Sequence, residues 1–423
     1  LGALLLAHLL AAPLPWSAWA TELPCWERIL PVHPVDPTQI AKAIKHASEL
    51  TFPGLDKSFK YFRKNYASAQ EVRVMTWNVQ HAGPDIFVPK EEHGKLEQRP
   101  EWYRTLWDLK LQLLAQTIHL RSPSILFLNE VSHSGIEHLM EAVFRPLGYT
   151  HHMFDLEGRG EKSGMGNAFV SKAPFSIFDI QSHGIEIHGV KPETRNIFRV
   201  QIRIGNKLVT FLGVHFKSRR KSENLLHVLR NIPGHMIRQQ QVIKLLQIIQ
   251  NERQQGNSVV VLGDLNSPLS KDDLIDPQLM APERAYQNME SNEHSLWSMT
   301  PWFTTGEADQ ALSLGIGHNP FAGITQPTYI WNDFIKLPLR PGGLKPQYIV
   351  NKYRFKFDHV VLYPNPHSLV ASANPKIIVT PWHINTYGDP KDSWLEVTED
   401  QLDSRFGPSD HFPVELTLTV QQD

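Results

Sequence analysis

The chain is short of cysteine, of net charge and of long apolar runs, and each shortage closes a class of explanation. One thiol, Cys25, among 423 residues cannot form an internal disulfide, so stability has to come from a packed core. Glu22-Leu23-Pro24 lacks the small residues expected before an acylated cysteine, so Cys25 is read as structural or incidental. Lys and Arg total 42 against 43 Asp and Glu, a balance that points to no polyanionic or membrane partner. Beyond the first 20 residues no segment approaches the roughly 20 uninterrupted apolar residues of a spanning helix, so no stable membrane insertion is expected. HExxH and cysteine clusters are also missing, which leaves a zinc site without support.

What is present divides the chain. LGALLLAHLLAAPLPWSAWA is apolar, is interrupted by Pro13 and Pro15, and ends on Ala18-Trp19-Ala20. Small residues at those spacings are those of a signal-peptidase site, so residues 1–20 are expected to be a cleaved export signal and the mature protein periplasmic or extracellular. Residues 21–70, Pro-rich and then helix-like, read as an N-terminal appendage, and residues 71–423 as the main domain.

Within that domain strands and helices alternate. EVRVMTWNV (71–79) reads as a strand, Trp102–Leu120 as an amphipathic helix, and SILFLNEV (124–131) as a strand buried on both faces. GIEHLMEAVF reads as a helix, GNAFVSK as a strand, and NIFRVQIRIGNKLVTFLGVHFKS as a hairpin around Gly205-Asn206. A long helix over about Ser222–Gln250 precedes the buried strand SVVVLGDLNS (258–267). Residues 268 to about 345 read as irregular surface loops, and YRFKFDHVVLY, PKIIVT and HFPVELTLTV as three final strands. Buried strands interleaved with helices imply a layered α/β domain with sheet packed on sheet.

The strands end in polar residues of a restricted kind: Asn78, Asn129-Glu130, Asn167, His215, Asp264 with Asn266, Asp358-His359 and Asp410-His411. Any one of these is ordinary turn punctuation. Together they supply the carboxylates, amides and imidazoles needed for a hard divalent cation and for acid–base work at phosphate, and active sites gather where strand ends converge.

MTWNVQ, FLNEV, GNAFVSK, GVHFKS, VLGDLNS, FDHVVL and SDHFPV, in that order, resemble the motif series of the endonuclease/exonuclease/phosphatase superfamily. That group includes pancreatic-type deoxyribonuclease, abasic-site endonucleases, neutral sphingomyelinases and inositol-polyphosphate phosphatases. The resemblance runs from about Glu71 to Val420 and implies an α/β fold, a four-layered α/β/β/α sandwich with the site at one edge of two packed sheets. It also implies phosphoester hydrolysis with Mg²⁺ (Mn²⁺ or Ca²⁺ as substitutes). Glu130 becomes the leading metal ligand, with Asn78 beside the metal or orienting its ligands and Asp410 a further ligand. His411 becomes the general base, its second ring nitrogen held by Asp358. His215 matches the second histidine of the nuclease and sphingomyelinase branches. Asp264 and Asn266, two apart and so expected on one strand face, are assigned to the nucleophile or a second metal and to a phosphoryl oxygen respectively. Asn167 completes the phosphate contacts. His8, His46, His119, His151 and His152 have no motif around them, and His359 is expected to point away from the site.

The family fixes the reaction more firmly than the substrate. From Lys191 to Arg253 there are 13 Lys or Arg and three acids, and KSRRK (217–221) follows His215 directly. Lys217, Arg219 and Arg220 are therefore expected at substrate phosphate, and nucleic acid, DNA before RNA, is the expected substrate of a monomeric enzyme. The alternative is a sphingomyelinase-like or inositol-phosphate activity, with Trp297, Trp302 and Trp331 as lipid-facing candidates.

Overall fold

The computed structural model describes residues 69–83, 100–155, 164–187, 194–217, 234–267, 269, 274–275, 304–305, 317–324, 326–336, 347–365, 370–380 and 408–422. The expected export signal, residues 21–68 of the expected appendage, Arg219, Arg220, Trp297, Trp302 and the side chain of Trp331 lie outside the described residues, while Ala69 and Gln70 already belong to the first strand.

The first strand and its neighbours set the layering. In β1 (Ala69–Ala82), Val72 and Val74 join one buried cluster and Met75, Trp77 and Val79 another, as the period of two in a strand buried on both faces requires. The second group meets Trp107, Leu111, Leu114 and Ile118 of helix α1 (Pro100–Arg121). β2 (Ile125–Val131) behaves the same way, with Leu126 and Leu128 toward the helix and Ile125 and Phe127 toward the interior. A short helix α2 (His133–Leu139), capped by Ser132, follows β2. Then come β3 (Tyr149–Phe154), β4 (Gly166–Lys172) and β5 (Ser176–His183).

The expected hairpin is β6 (Ile197–Ile204) and β7 (Lys207–His215), antiparallel as read. Helix α3 (Gly234–Gln254) and β8 (Ser258–Asp264) follow. Val242, Leu245, Ile248 and Ile249 of α3 cover Leu212, Val214, Val259 and Val261. Two-residue strands β9 (Leu274–Ile275), β10 (Thr304–Thr305) and β11 (Gly317–His318) precede β12 (Tyr329–Lys336) and β13 (Gln347–Phe355). The chain ends with β14 (Asp358–Tyr363), β15 (Val370–Ile377) and β16 (Val414–Gln421).

A six-stranded sheet, ordered β15-β16-β1-β2-β4-β3, faces a seven-stranded one, β10-β11-β14-β8-β7-β6-β5. Their facing surfaces share one core that includes Phe127, Phe169, Phe198, Phe211, Val260, Val360 and Leu416. With α1 on one outer face and α3 on the other, the expected α/β/β/α sandwich is the fold. Close approach of the sheets has a local condition at Gly213, where a Cβ would lie 2.0 Å from the Phe127 ring.

Three sequence expectations are corrected. YRFKFDHVVLY is two strands in two sheets, because the chain crosses at Lys356-Phe357. There Lys356 is buried with its Nζ donating to Phe321 O, and Phe357 N and Asp358 N both donate to Thr328 Oγ1. The region read as irregular contains β12, which with β13 and β9 makes a separate three-stranded sheet. β3 and β5 are strands that the sequence does not announce, because they lack strong apolar alternation.

Candidate active site

Along six strands the inward-facing side chains are mostly apolar, with buried Thr76 and Ser171 among the polar exceptions, and end in a polar residue at one edge. Val72 and Val74 lead to Asn78, Ile125 and Phe127 to Asn129, and Val209 and Phe211 to His215. Val260 and Leu262 lead to Asp264. On the two strands running the other way, Leu362 and Val360 lead back to Asp358, and Phe169 leads back to Asn167. Register then aligns them. Asn78 pairs with Asn129 and Asn129 with Asn167 in the first sheet, while His215 pairs with Asp264 and Asp264 with Asp358 in the second. The site is therefore two facing rows, one of amides and one of titratable groups.

Asn129 stitches the rows together. Its Nδ2 donates to Val214 O (3.1 Å) and Asn167 Oδ1 (2.8 Å), and its Oδ1 accepts from Asp264 N (3.2 Å). Asn78 Nδ2 donates to Asp264 Oδ2 (3.1 Å) and Glu130 Oε1 (3.3 Å), so the amide bridges two carboxylates. Gly263, with φ 133° and a hypothetical Cβ 1.9 Å from Val214 O, allows Asp264 its place beside His215.

Glu130 breaks the alternation. As the neighbour of inward-facing Asn129 it should face α1, but it has φ 60° and the β2–β4 register shifts there. This bulge turns its carboxylate into the site. Burial favours its acid form, yet His81, His215, Arg195 and His411 outweigh that and hold it down to about 2. Among the described residues six non-glycine residues have positive φ, and four of them (Gln80, His81, Glu130, Asn266) lie at this edge. Left-handed non-glycine backbone costs about 1–3 kcal/mol per residue and concentrates at functional sites.

The loop before β16 closes the arrangement. His411 Nδ1 lies 2.7 Å from Asp358 Oδ2, and its Nε2 faces Asp264 Oδ2 (3.9 Å) and Asp410 Oδ1 (4.0 Å). Tyr329 packs its ring 4.5 Å from the imidazole. Four donors tie the loop to its surroundings: Trp77 Nε1 to His411 O (2.9 Å), Ser409 Oγ to Asn78 O (2.6 Å), Asp410 N to Gln80 Oε1 (3.3 Å) and Lys110 Nζ to Pro408 O (2.5 Å).

The electrostatics separate the two imidazoles. Burial disfavours the imidazolium of His411, but Asp358, Asp410 and Asp264 outweigh burial and raise its pKa to about 10. Burial, reinforced by the Asp358 charge and opposed by His411, raises Asp264 to about 7. His215 is pushed well below the ordinary histidine value by burial and by Arg195, with Glu130 opposing. Its Nε2 stands 3.5 Å from Asp264 and 3.6 Å from Glu130.

The described residues named from sequence for the site lie at or beside this edge, and Asn266 is turned away from the contact expected of it. Asn266 lies past the end of β8 in left-handed backbone. Its amide donates to Asp264 Oδ2 (3.1 Å) and Phe216 O (3.0 Å) and its N–H to Asp264 Oδ1 (2.7 Å), so it orients Asp264 instead of presenting a donor to phosphate. Lys217 is buried beside His215 and adds to the positive field there. His359 alternates outward and contacts Lys356 O, as expected. Missed were Arg195, buried and acting on both Glu130 and His215, and Tyr329, Thr328 and Lys110. Only the lysine inside an apolar helix face was a signal.

A divalent cation fits the donors. Glu130 stays ionised and partly accessible, Asp264 and Asp410 supply hard oxygens nearby, and Asp264, Asp358 and His411 converge within 4.8 Å of one another. Asp358 is less suited than the others because its Oδ2 already holds His411 Nδ1.

A sandwich with hard-metal ligands, an oriented imidazole and buried amides at the sheet edge defines a phosphoester hydrolase of the layered α/β type. The model of the endonuclease/exonuclease/phosphatase family matches residues 75–411, and the chain belongs to that family, whose members are divalent-metal-dependent phosphoester hydrolases. No curated protein matches the chain in sequence. Among solved structures it is similar to an endonuclease/exonuclease/phosphatase family protein from Bacteroides thetaiotaomicron (13% identity, 83% of this chain and 98% of that one, TM-score 0.46). The human Nocturnin catalytic domain is similar at 15% identity, with coverage of 83% and 93% and a TM-score of 0.45. TDP2 from Caenorhabditis elegans is similar at 14%, with coverage of 82% and 74% and a TM-score of 0.44. Among the described residues no helix is long and apolar enough to cross a membrane.

Proposed function

We propose that the protein is an exported, Mg²⁺-dependent phosphodiesterase, a nuclease of low sequence preference acting on DNA before RNA. The observation that carries the chemistry is the Asp358–His411 pair, 2.7 Å apart, set across the sheet edge from Glu130, Asn78 and His215.

Asp358 fixes the His411 tautomer so that Nε2 meets the attacking water. Neutral, buried His215 donates a hydrogen bond to a phosphoryl oxygen. Asn167 is fully buried and its Nδ2 has no acceptor among the described residues; a phosphoryl oxygen supplies that acceptor. Arg195, buried with its Nε likewise unmatched among the described residues, adds fixed positive charge. Glu130, with Asp264 and Asp410 nearby, would hold a divalent cation, which would neutralise phosphoryl charge and compete for the carboxylates that hold His411 protonated.

The basic stretch supports a nucleic-acid substrate, though Arg199 belongs to a buried network with Glu252 (2.7 Å) and Asp179 (2.6 Å) and is not available to phosphate. A panel of plasmid DNA, single-stranded DNA, RNA, sphingomyelin and inositol phosphates, with Mg²⁺ and with EDTA, tests the reading. Metal-dependent DNA cleavage is expected; lipid or inositol-phosphate turnover without it would reverse the assignment.

A further inference from the structure

The end of β1 places an imidazole that the proposed chemistry does not use. Gln80 (φ 43°) and His81 (φ 51°) are consecutive left-handed residues, where the β1–β2 register breaks between Asn78 and Ala82. Each boundary of this turn is fixed: Asn78 O accepts from Ser409 Oγ, Gln80 N donates to Asn78 Oδ1, and Ala82 O accepts from Ser132 N. The turn brings His81 Nε2 to 3.7 Å from Glu130 Oε2. On the other oxygen, His215 Nε2 lies 3.6 Å from Oε1. Both separations exceed a hydrogen bond. The His81 separation suits a nitrogen and an oxygen ligand of one ion, each about 2.1 Å from it, whereas His215 is taken up by the phosphoryl contact. His81 is the more accessible of the two, with 22% of its side chain exposed against 2% for His215.

We infer that His81 is an additional nitrogen ligand of the cation bound at Glu130, and that it tilts the site toward transition ions such as Mn²⁺ over Mg²⁺. Mg²⁺ keeps oxygen ligands and water, whereas imidazole is a ligand of first-row transition ions. The inference rests on the Glu130 metal site proposed above. It gives a reason for the left-handed backbone at both His81 and Glu130, which turns the imidazole and the carboxylate toward each other.

The test uses the full chain and His81→Asn, since asparagine tolerates left-handed backbone. Calorimetry with Mn²⁺ and with Mg²⁺ is combined with pulsed electron paramagnetic resonance of the Mn²⁺-loaded protein, read for nitrogen coupling. The substitution is expected to weaken Mn²⁺ about tenfold, to change Mg²⁺ by less than about threefold, and to abolish the nitrogen coupling. Coupling that survives His81→Asn and disappears in His215→Asn would assign the nitrogen to His215 and overturn the inference. Equal weakening of both ions would make His81 a positioning residue for Glu130, and no change in either would leave it without a part; each outcome overturns ligation. Glu130→Gln separates the premise: if both ions still bind, the Glu130 site itself is wrong.

Discussion

The two facing rows are built alike and do different things. The first sheet contributes Asn78, Asn129 and Asn167 in register; the second contributes His215, Asp264 and Asp358 in register. Amides keep their donors and acceptors at every pH, so the first row can fix distances and, among the described residues, leave Asn167 Nδ2 unmatched. The second row consists of groups whose charge depends on their neighbours, and burial pushes them apart: Asp264 rises and His215 falls. Two residues cross this division. Glu130 is a carboxylate delivered by the amide sheet through a bulge, and His411 leads into β16 of that sheet yet pairs with Asp358 of the other.

The largest effect expected from breaking the division is on the titratable side. His411→Ala should lower kcat on the preferred substrate by roughly three to four orders of magnitude, and Asp358→Asn by about two, with the fold intact by circular dichroism. A kcat unchanged in purified His411→Ala would remove the base assignment. Next is the response of the same side to metal. Without metal, His411 should titrate near 10 and Asp264 near 7, and saturating Mg²⁺ should move the His411 titration downward, followed by imidazole resonances in NMR. Because the folded ring keeps its proton above the ordinary value of 6.5, its contacts stabilise the metal-free fold fully below pH 6.5. That contribution fades as pH rises through about 10. Cation affinity should conversely increase as pH rises through 7, since binding displaces a proton from Asp264. A His411 titration indifferent to saturating Mg²⁺ would separate the metal from the base.

On the amide side the expected effect is smaller and of another kind. Asn167→Ala should raise KM about tenfold with kcat changed little, since the loss is of one hydrogen bond to phosphate. A pure kcat loss would give Asn167 a share in the chemistry. Smallest is the anchor behind both rows. Lys110→Met leaves Pro408 O without its buried donor, an expected loss of about 1–3 kcal/mol of stability, and should lower kcat a few-fold at constant KM. Denaturant melts and recovery with Lys110→Arg check it; an unchanged melt would show that the remaining ties to Trp77, Asn78 and Gln80 suffice.

Legibility from sequence followed chain locality. VLGDLNS and FLNEV show their strands because consecutive apolar residues signal burial on both faces, and Asp264 and Glu130 stand out at the ends. β5 was not legible, because half-exposed SIFDIQSH gives no alternation sharp enough to separate it from a loop. Thr328 and Tyr329 were not legible either, since their interest lies in contacts to Asp358 N and the His411 ring, residues far along the chain. Asn266 misled for the opposite reason. Its spacing from Asp264 implies a shared strand face, but the strand stops at Asp264 and the left-handed turn at Asn266 aims its amide back at that carboxylate.

By itself the sequence determined which strands are buried, the order of the polar strand ends and the kind of chemistry they can support, because side-chain type and a period of two are local properties. Only the tertiary structure decided which ends face one another, that Glu130 turns inward against its alternation, and that His411 is the imidazole held protonated while His215 is held neutral. Those are set by register between distant strands, by two bulges and by the summed field of charges that meet only when both sheets close on Phe127 and Gly213.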